Sequence, residues 1–211
     1  MIELHPRLQD PAVIHQLSET WARTRSLRLT PLMTEASAKL VLDALLESPF
    51  SLLAPEPGQF RYQFWGLSFT PEDDVNPVLA AFGEWLLSDV VRLCTTITSQ
   101  ALTPTSDRKL LSTLYCRGCY LDAHNDADGQ RRVAYVVGLT EARWPAEEGG
   151  HLEFLDVQRG GVVVTERRPP GWNSLDLFDV FERHPLHRVQ PLLNDHPRRV
   201  FSGWFYGEDH G

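Results

Sequence analysis

The residues best suited to chemistry are His124, Asp126 and His187. His124-Asn125-Asp126 ends a strand-like stretch, YLDAH, and opens a polar turn. Residues i and i+2 of an extended segment point to the same side. The imidazole and the carboxylate can therefore grip one ion from a single strand end. His187 lies far along the chain in a second strand-like stretch. As a third ligand it would complete a face of two imidazoles and one carboxylate, which leaves adjacent coordination positions open, as in non-haem Fe(II) centres. Arg198 and Arg199 open the last apolar stretch, RRVFSGWFY. A guanidinium there is a fork that can hold a carboxylate through two parallel N–H donors. Together these groups suit a small molecule that chelates iron at one end and carries a remote carboxylate at the other.

Other residues of these types have blander readings. His184 is a second candidate for the ligand position of His187, but Pro185 follows it and the pair reads as a turn. His151, after Gly149-Gly150, reads as a strand or pocket histidine, and His196 in NDHPRR as a solvated turn. Trp144, Trp172 and Trp204 read as packing residues, and Glu147-Glu148 as a solvated loop. Arg131-Arg132 reads as a strand start able to touch an acidic substrate. Cys116 and Cys119 form a lone CxxC, two of the four ligands a zinc site needs. Its flanks look extended, unlike the strand-to-helix junction of a redox motif, so the pair reads as small strand or loop residues.

These residues need a scaffold. Helices are expected over 11–24, capped by Asp10 with Pro11 behind it, over 35–47, and over 76–101, capped by Asn76 with Pro77 behind it. An aromatic, alternating stretch over 59–69 suggests a strand. Beyond residue 105 the pattern becomes short strands: 109–116, 118–123, 132–139, 150–157, 161–165, 173–180, 186–192 and 198–206. Turn signals such as Asp128-Gly129, Gly160-Gly161 and Pro169-Pro170-Gly171 separate them. Such spacing indicates a sandwich or barrel rather than βαβ units. The expectation is one domain over 1–211, with a mainly helical support region over 1–105 and a β core over 106–207. The 211 residues are 42% hydrophobic and 23% charged, an ordinary globular composition. No apolar run approaches the roughly 18 residues of a membrane span. A net charge of -8 counts against broad binding to phosphate backbones. Three cysteines without a basic and apolar leader lead to the expectation of a reduced, cytoplasmic protein.

Four stretches resemble the 2-oxoglutarate- and Fe(II)-dependent dioxygenases in their prolyl-4-hydroxylase-like branch. They are YLDAHND, GQRRVAYVVGLTEARWPAEEGGHLEFLD, PGWNSLDLFDVFERHPLHRVQPL and RRVFSGWFY. Their order, covering roughly 109–206, carries the resemblance, and the flavour is that of prolyl hydroxylases acting on ribosomal protein loops. The resemblance implies an α+β protein with a double-stranded β-helix (a cupin-like jelly-roll) and supporting N-terminal helices. It implies Fe(II) held by His124, Asp126 and His187, and 2-oxoglutarate as cosubstrate. Arg198 would be paired with the far carboxylate of 2-oxoglutarate and Tyr115 would line its pocket. It also implies ascorbate as reductant. The activity implied is hydroxylation of an unactivated C–H bond, in a prolyl residue of a protein or peptide, with dioxygen consumed and succinate and CO₂ released. A free amino acid or other small molecule is the alternative substrate, and a non-catalytic ligand-binding barrel the alternative function. Nucleic acid and membrane partners are not expected. Two departures stand out. Gly138 occupies the position of a second cosubstrate tyrosine, and Arg198-Arg199-Val200 replaces the usual Arg-x-Ser. The second leaves Arg198 and Arg199 as competing anchors, with strand alternation favouring Arg198.

Overall fold

The computed structural model describes residues 1–55, 60–140, 144–182 and 185–207. Helix α1 (Pro11–Thr24) starts where the Asp10 carboxylate accepts from the Ala12 N–H and stops at Arg25, which turns left-handed at φ 55°. Helix α2 (Glu35–Leu46) is capped by the Thr34 hydroxyl, which accepts from Ser37 N–H. Asn76 caps α3 (Pro77–Trp85) in the same way. The expected long helix then continues through a wider π-type turn over Leu86–Val90 into α4 (Val91–Thr98). It ends short of residue 101 because Ser99 adopts φ 55°, which reverses the chain.

The β core contains all eight strands expected after residue 105. They are β5 (Leu110–Tyr115), β6 (Tyr120–His124), β7 (Arg131–Leu139), β8 (Leu152–Gln158), β9 (Gly161–Arg168), β10 (Trp172–Asp179), β11 (Leu186–Val189) and β12 (Arg198–Gly207). Before them come β1 (Ser26–Leu29), β2 (Ser51–Leu53), β3 (Tyr62–Phe69) and β4 (Leu102–Thr103). Of these only β3 is expected from the sequence; the others hold two to four residues, too few to show a period.

Every strand pairing is antiparallel, in the order β1-β10-β7-β12-β5-β3-β6-β11-β8-β9, with β2 on β3 and β4 on β12. The sheet curls into a jelly-roll. β3 bridges its two halves: Trp65–Phe69 pair with β5, and Tyr62 and Gln63 with β6. Alternation along β7 sends Val133, Tyr135, Val137 and Leu139 outward against the helices, in one core with Trp21, Leu45, Phe82 and Ile97. Ala134 and Val136 point inward with Phe154, Phe178 and Val200. The helices thus stiffen one wall, and the inner face is left to form a cavity. The roll is tied across its ends by charge. Arg28 of β1 grips Asp176 of β10 with two bonds of 2.8 and 2.7 Å, and Arg168 of β9 reaches the same carboxylate at 3.1 Å.

Candidate active site

β6 and β11 lie side by side with His187 directly opposite His124. Asp126 follows two residues after the end of β6, so the turn brings its carboxylate between the two rings. His124 Nε2 stands 3.5 Å from Asp126 Oδ1, and His187 Nε2 stands 3.4 Å from Asp126 Oδ2. The ring centroids are 4.3 Å apart. One ligand atom from each residue lies within 4.8 Å of the others, and no second such cluster occurs among the described residues. Both Nδ1 atoms face backbone carbonyls, His124 that of Asp122 at 2.9 Å and His187 that of Pro185 at 3.0 Å. A carbonyl only accepts, so each Nδ1 carries the proton and each Nε2 keeps its lone pair for a cation. Burial pushes the His187 imidazole below its ordinary pKa, against the pull of Asp126. Burial works against the Asp126 carboxylate, but its neighbours His124, His187 and Trp204 outweigh it and hold the pKa below the usual value. The donor set offered to a cation is thus two imidazole Nε2 atoms and one carboxylate, which fits a divalent first-row metal.

The cluster opens into a cavity of about 320 Å³. Arg198 lies in its wall, opposite Tyr115 in the β12–β5 register. Its side chain is buried, with the guanidinium carbon 4.7 Å from the Tyr115 ring centre. Burial pushes the Arg198 pKa down, and the Tyr115 hydroxyl opposes this as a hydrogen-bond partner. The Nε and Nη1 atoms find no partner among the described residues. A buried cation with unused donors facing a cavity calls for an anionic ligand. Strand alternation sends Arg199 to the other side of the strand, and its backbone N–H donates to Thr140 Oγ1 at 3.0 Å. At Gly138 there is no room for a tyrosine: an added Cβ would stand 2.5 Å from the Gly171 carbonyl oxygen and 2.6 Å from Ser174 Oγ.

Two residues read as bland in the sequence, Arg131 and Trp204, line this cavity together with Phe60. Arg131 lies with its guanidinium carbon 3.6 Å from the centre of the Trp204 ring, and both border the pocket. Phe60 stacks on His124 at 4.5 Å with the rings 9° from parallel. Alternation along β12 places Trp204 on the face of Arg198 and could have flagged it; nothing in the sequence marks Phe60. Elsewhere the blander readings hold. Trp144 donates to the Gly149 carbonyl, Trp172 to Glu35, and exposed His196 sits in a turn. His151 is buried just before β8, its carbonyl accepting from the Gln190 N–H at 3.0 Å, and is not one of the clustered residues. Cys116 and Cys119 span a turn closed by a 2.9 Å backbone bond. His184, the alternative ligand, lies outside the described residues.

Residues 110–206 match the sequence family described as the 2OG-Fe(II) oxygenase superfamily. A prolyl 3,4-dihydroxylase, OGFOD1, of Ostreococcus tauri is 32% identical over 104 residues, 46% of this chain and 20% of that protein, so the chain spans about a fifth of the relative's length. Among solved structures, a Trichoplax adhaerens prolyl hydroxylase in complex with a hypoxia inducible factor peptide fragment superposes with a TM-score of 0.70 at 17% identity, over 93% of this chain and 90% of that one. A Pseudomonas putida prolyl-4-hydroxylase superposes with a TM-score of 0.62 at 17% identity, over 92% and 99%. The jelly-roll agrees with these neighbours, and the cluster with the cofactors the family is named for. Over residues 110–206, a little under half of the chain, the sequence is similar to the 2OG-Fe(II) oxygenase superfamily, and the fold as a whole is that of the solved prolyl hydroxylases.

Proposed function

We propose that the chain hydroxylates an unactivated C–H bond of a prolyl residue in a protein or peptide, consuming 2-oxoglutarate and dioxygen and releasing succinate and CO₂. The observation that carries this reading is one cavity holding both a cation cluster and a buried guanidinium with unused donors. In it His124, Asp126 and His187 hold Fe(II), and Arg198, backed by Tyr115, holds the remote carboxylate of 2-oxoglutarate. Iron bound with 2-oxoglutarate supplies the oxidising power for C–H hydroxylation. The chain's own part would be to leave coordination positions open, hold the cosubstrate's far carboxylate at Arg198, and line the pocket with apolar surface that excludes water. The peptide-bound neighbour and the dihydroxylase relative support a prolyl substrate.

The reading extends to three further points. Ascorbate acts as reductant for the iron. The work is cytoplasmic: all three cysteines are free thiols, which suits a reducing compartment, and no described helix is long and apolar enough to cross a membrane. Residues 1–211 form one domain, with 1–105 supporting the catalytic 106–207, as the shared core of helices and β7 suggests. The test is incubation with Fe(II), 2-oxoglutarate and a proline-containing peptide library, reading succinate and a mass gain of one oxygen. Succinate coupled to an oxidised prolyl residue is expected. Coupled oxidation of a free amino acid alone would overturn the polypeptide assignment.

A further inference from the structure

The outer face of β11, β8 and β9 is built in rungs. Arg188, Glu153 and Arg167 stand side by side across the three strands, with both arginines bonded to the fully buried glutamate. The next rung toward the cavity mouth is Leu186, Leu155 and Val164, and beyond it stand Val157 and Val162. A bulge between Phe154 and Leu155 keeps this face aliphatic, because it shifts the β9 register by one residue and brings Val164 and Val162 onto the side of Arg167. Val157 is 70% exposed, Val162 58% and Val164 37%. β9 has β8 as its only strand partner among the described residues, so its second edge offers unpaired backbone groups.

This hairpin is placed beside the active site. Leu186 and Leu155 flank His187, and the hairpin continues past them to Gln158 and Gly161, about 10 Å further at roughly 3.3 Å per residue. It therefore projects from the same end of the roll as the metal cluster. Its outer face and tip carry Arg159, Arg167 and Arg188 against Glu153, while Asp156 and Glu166 lie on the opposite face, so the positive excess belongs to the outer face of a chain of net charge -8.

We propose that the free edge of β9 is a docking strand for the polypeptide substrate: an extended segment with alternating aliphatic residues, flanked by acidic ones, adds to the sheet there. The inference rests on the proposed polypeptide hydroxylation and names where that substrate is gripped outside the cavity. Backbone pairing along β9 supplies affinity, Val162 and Val164 select aliphatic neighbours, and Arg159 and Arg167 select acidic flanks. A second copy of the chain fits less well. Antiparallel self-pairing with Val163 opposite Val163 would bring Arg159, in the turn before β9, toward Arg167 of the other copy at both ends, and like charges brought together across strands are destabilising.

The test uses the full chain without iron or 2-oxoglutarate and a fluorescent peptide of alternating valine and threonine flanked by aspartates, with a lysine-flanked version as comparison. Anisotropy should show the aspartate version binding at least about tenfold tighter, and Val162→Asp or Arg159→Glu weakening it by about tenfold, the scale of losing an interface hot spot. Both positions are exposed, and an unchanged melting temperature confirms that each variant is folded. Equal binding of the two peptides, or no loss in Val162→Asp, overturns the docking strand. So does a dimer in sedimentation that Val162→Asp disperses, because a second copy would then occupy the edge. The readout needs no turnover. Peptide binding without hydroxylation would reject the proposed activity alone, and hydroxylation without peptide binding the docking strand alone.

Discussion

At the scale of single residues, the cluster works because each imidazole is fixed by a backbone carbonyl on its far side. Removing one ring removes a ligand and leaves Asp126 facing a single imidazole. His187→Ala is expected to abolish tight binding of Co(II), a spectroscopic stand-in for Fe(II), whereas His151→Ala, equally buried but outside the cluster, should leave it intact; titration of the Co(II) absorption bands checks both. Arg198 is the second residue whose role is chemical. Losing one side of a buried charged hydrogen bond costs on the order of 2–5 kcal/mol. Arg198→Ala should therefore raise the apparent KM for 2-oxoglutarate by at least about tenfold, since 1.4 kcal/mol is a factor of ten. Co(II) binding should survive in this variant. Lysine at this position keeps the charge but loses the fork, and should recover only part of the loss. Arg199→Ala, on the opposite side of the strand, should stay within about threefold of the parent, because about 0.65 kcal/mol is the whole of a threefold change. A large loss for Arg199→Ala with none for Arg198→Ala would mean that the strand presents the other arginine.

At the scale of elements, the roll is closed by the contacts of β1 and β9 with β10, and these centre on one carboxylate. Asp176 and Arg168 are almost fully buried, and Arg28 is a quarter exposed. A buried pair is weak evidence of net stability, but removing one partner strands the other's charge. Asp176→Ala leaves two arginines facing each other and should destabilise the fold by about 3–5 kcal/mol, measured as a fall in the denaturant midpoint at unchanged slope. An effect below about 1 kcal/mol, the scale of a surface pair, would show that water or another group compensates the arginines. The same element scale explains Gly138. β7 and the segment leading into β10 approach so closely there that the missing tyrosine could not be restored by substitution without moving the Gly171 backbone.

For the whole molecule, the N-terminal region is more than a support. β3 sits inside the sheet between β5 and β6, and the outward faces of β7, β10 and β12 are buried under the helices. A fragment of residues 106–211 would expose Tyr135, Val137, Leu177, Phe201 and Phe205 and would lack the strand that joins the two halves of the roll. It should be insoluble, or show no cooperative melting transition in calorimetry. A soluble fragment with a sharp transition would instead make 106–211 an independent domain and overturn the single-domain proposal.

Local periodicity and turn chemistry in the sequence alone determined the helix starts at Pro11, Glu35 and Pro77, the eight strands after residue 105, and the pairing of His124 with Asp126 across one residue. These depend on neighbours along the chain, so they can be read there. That His187 meets them depends on β6 and β11 lying side by side, and this follows from a sheet order no local pattern encodes. The short strands β1, β2 and β4 exist only because longer strands offer them an edge. The stacking of Phe60 on His124 and of Arg131 on Trp204, like the closure of space at Gly138, was decided by tertiary packing, because each depends on how closely two distant segments approach.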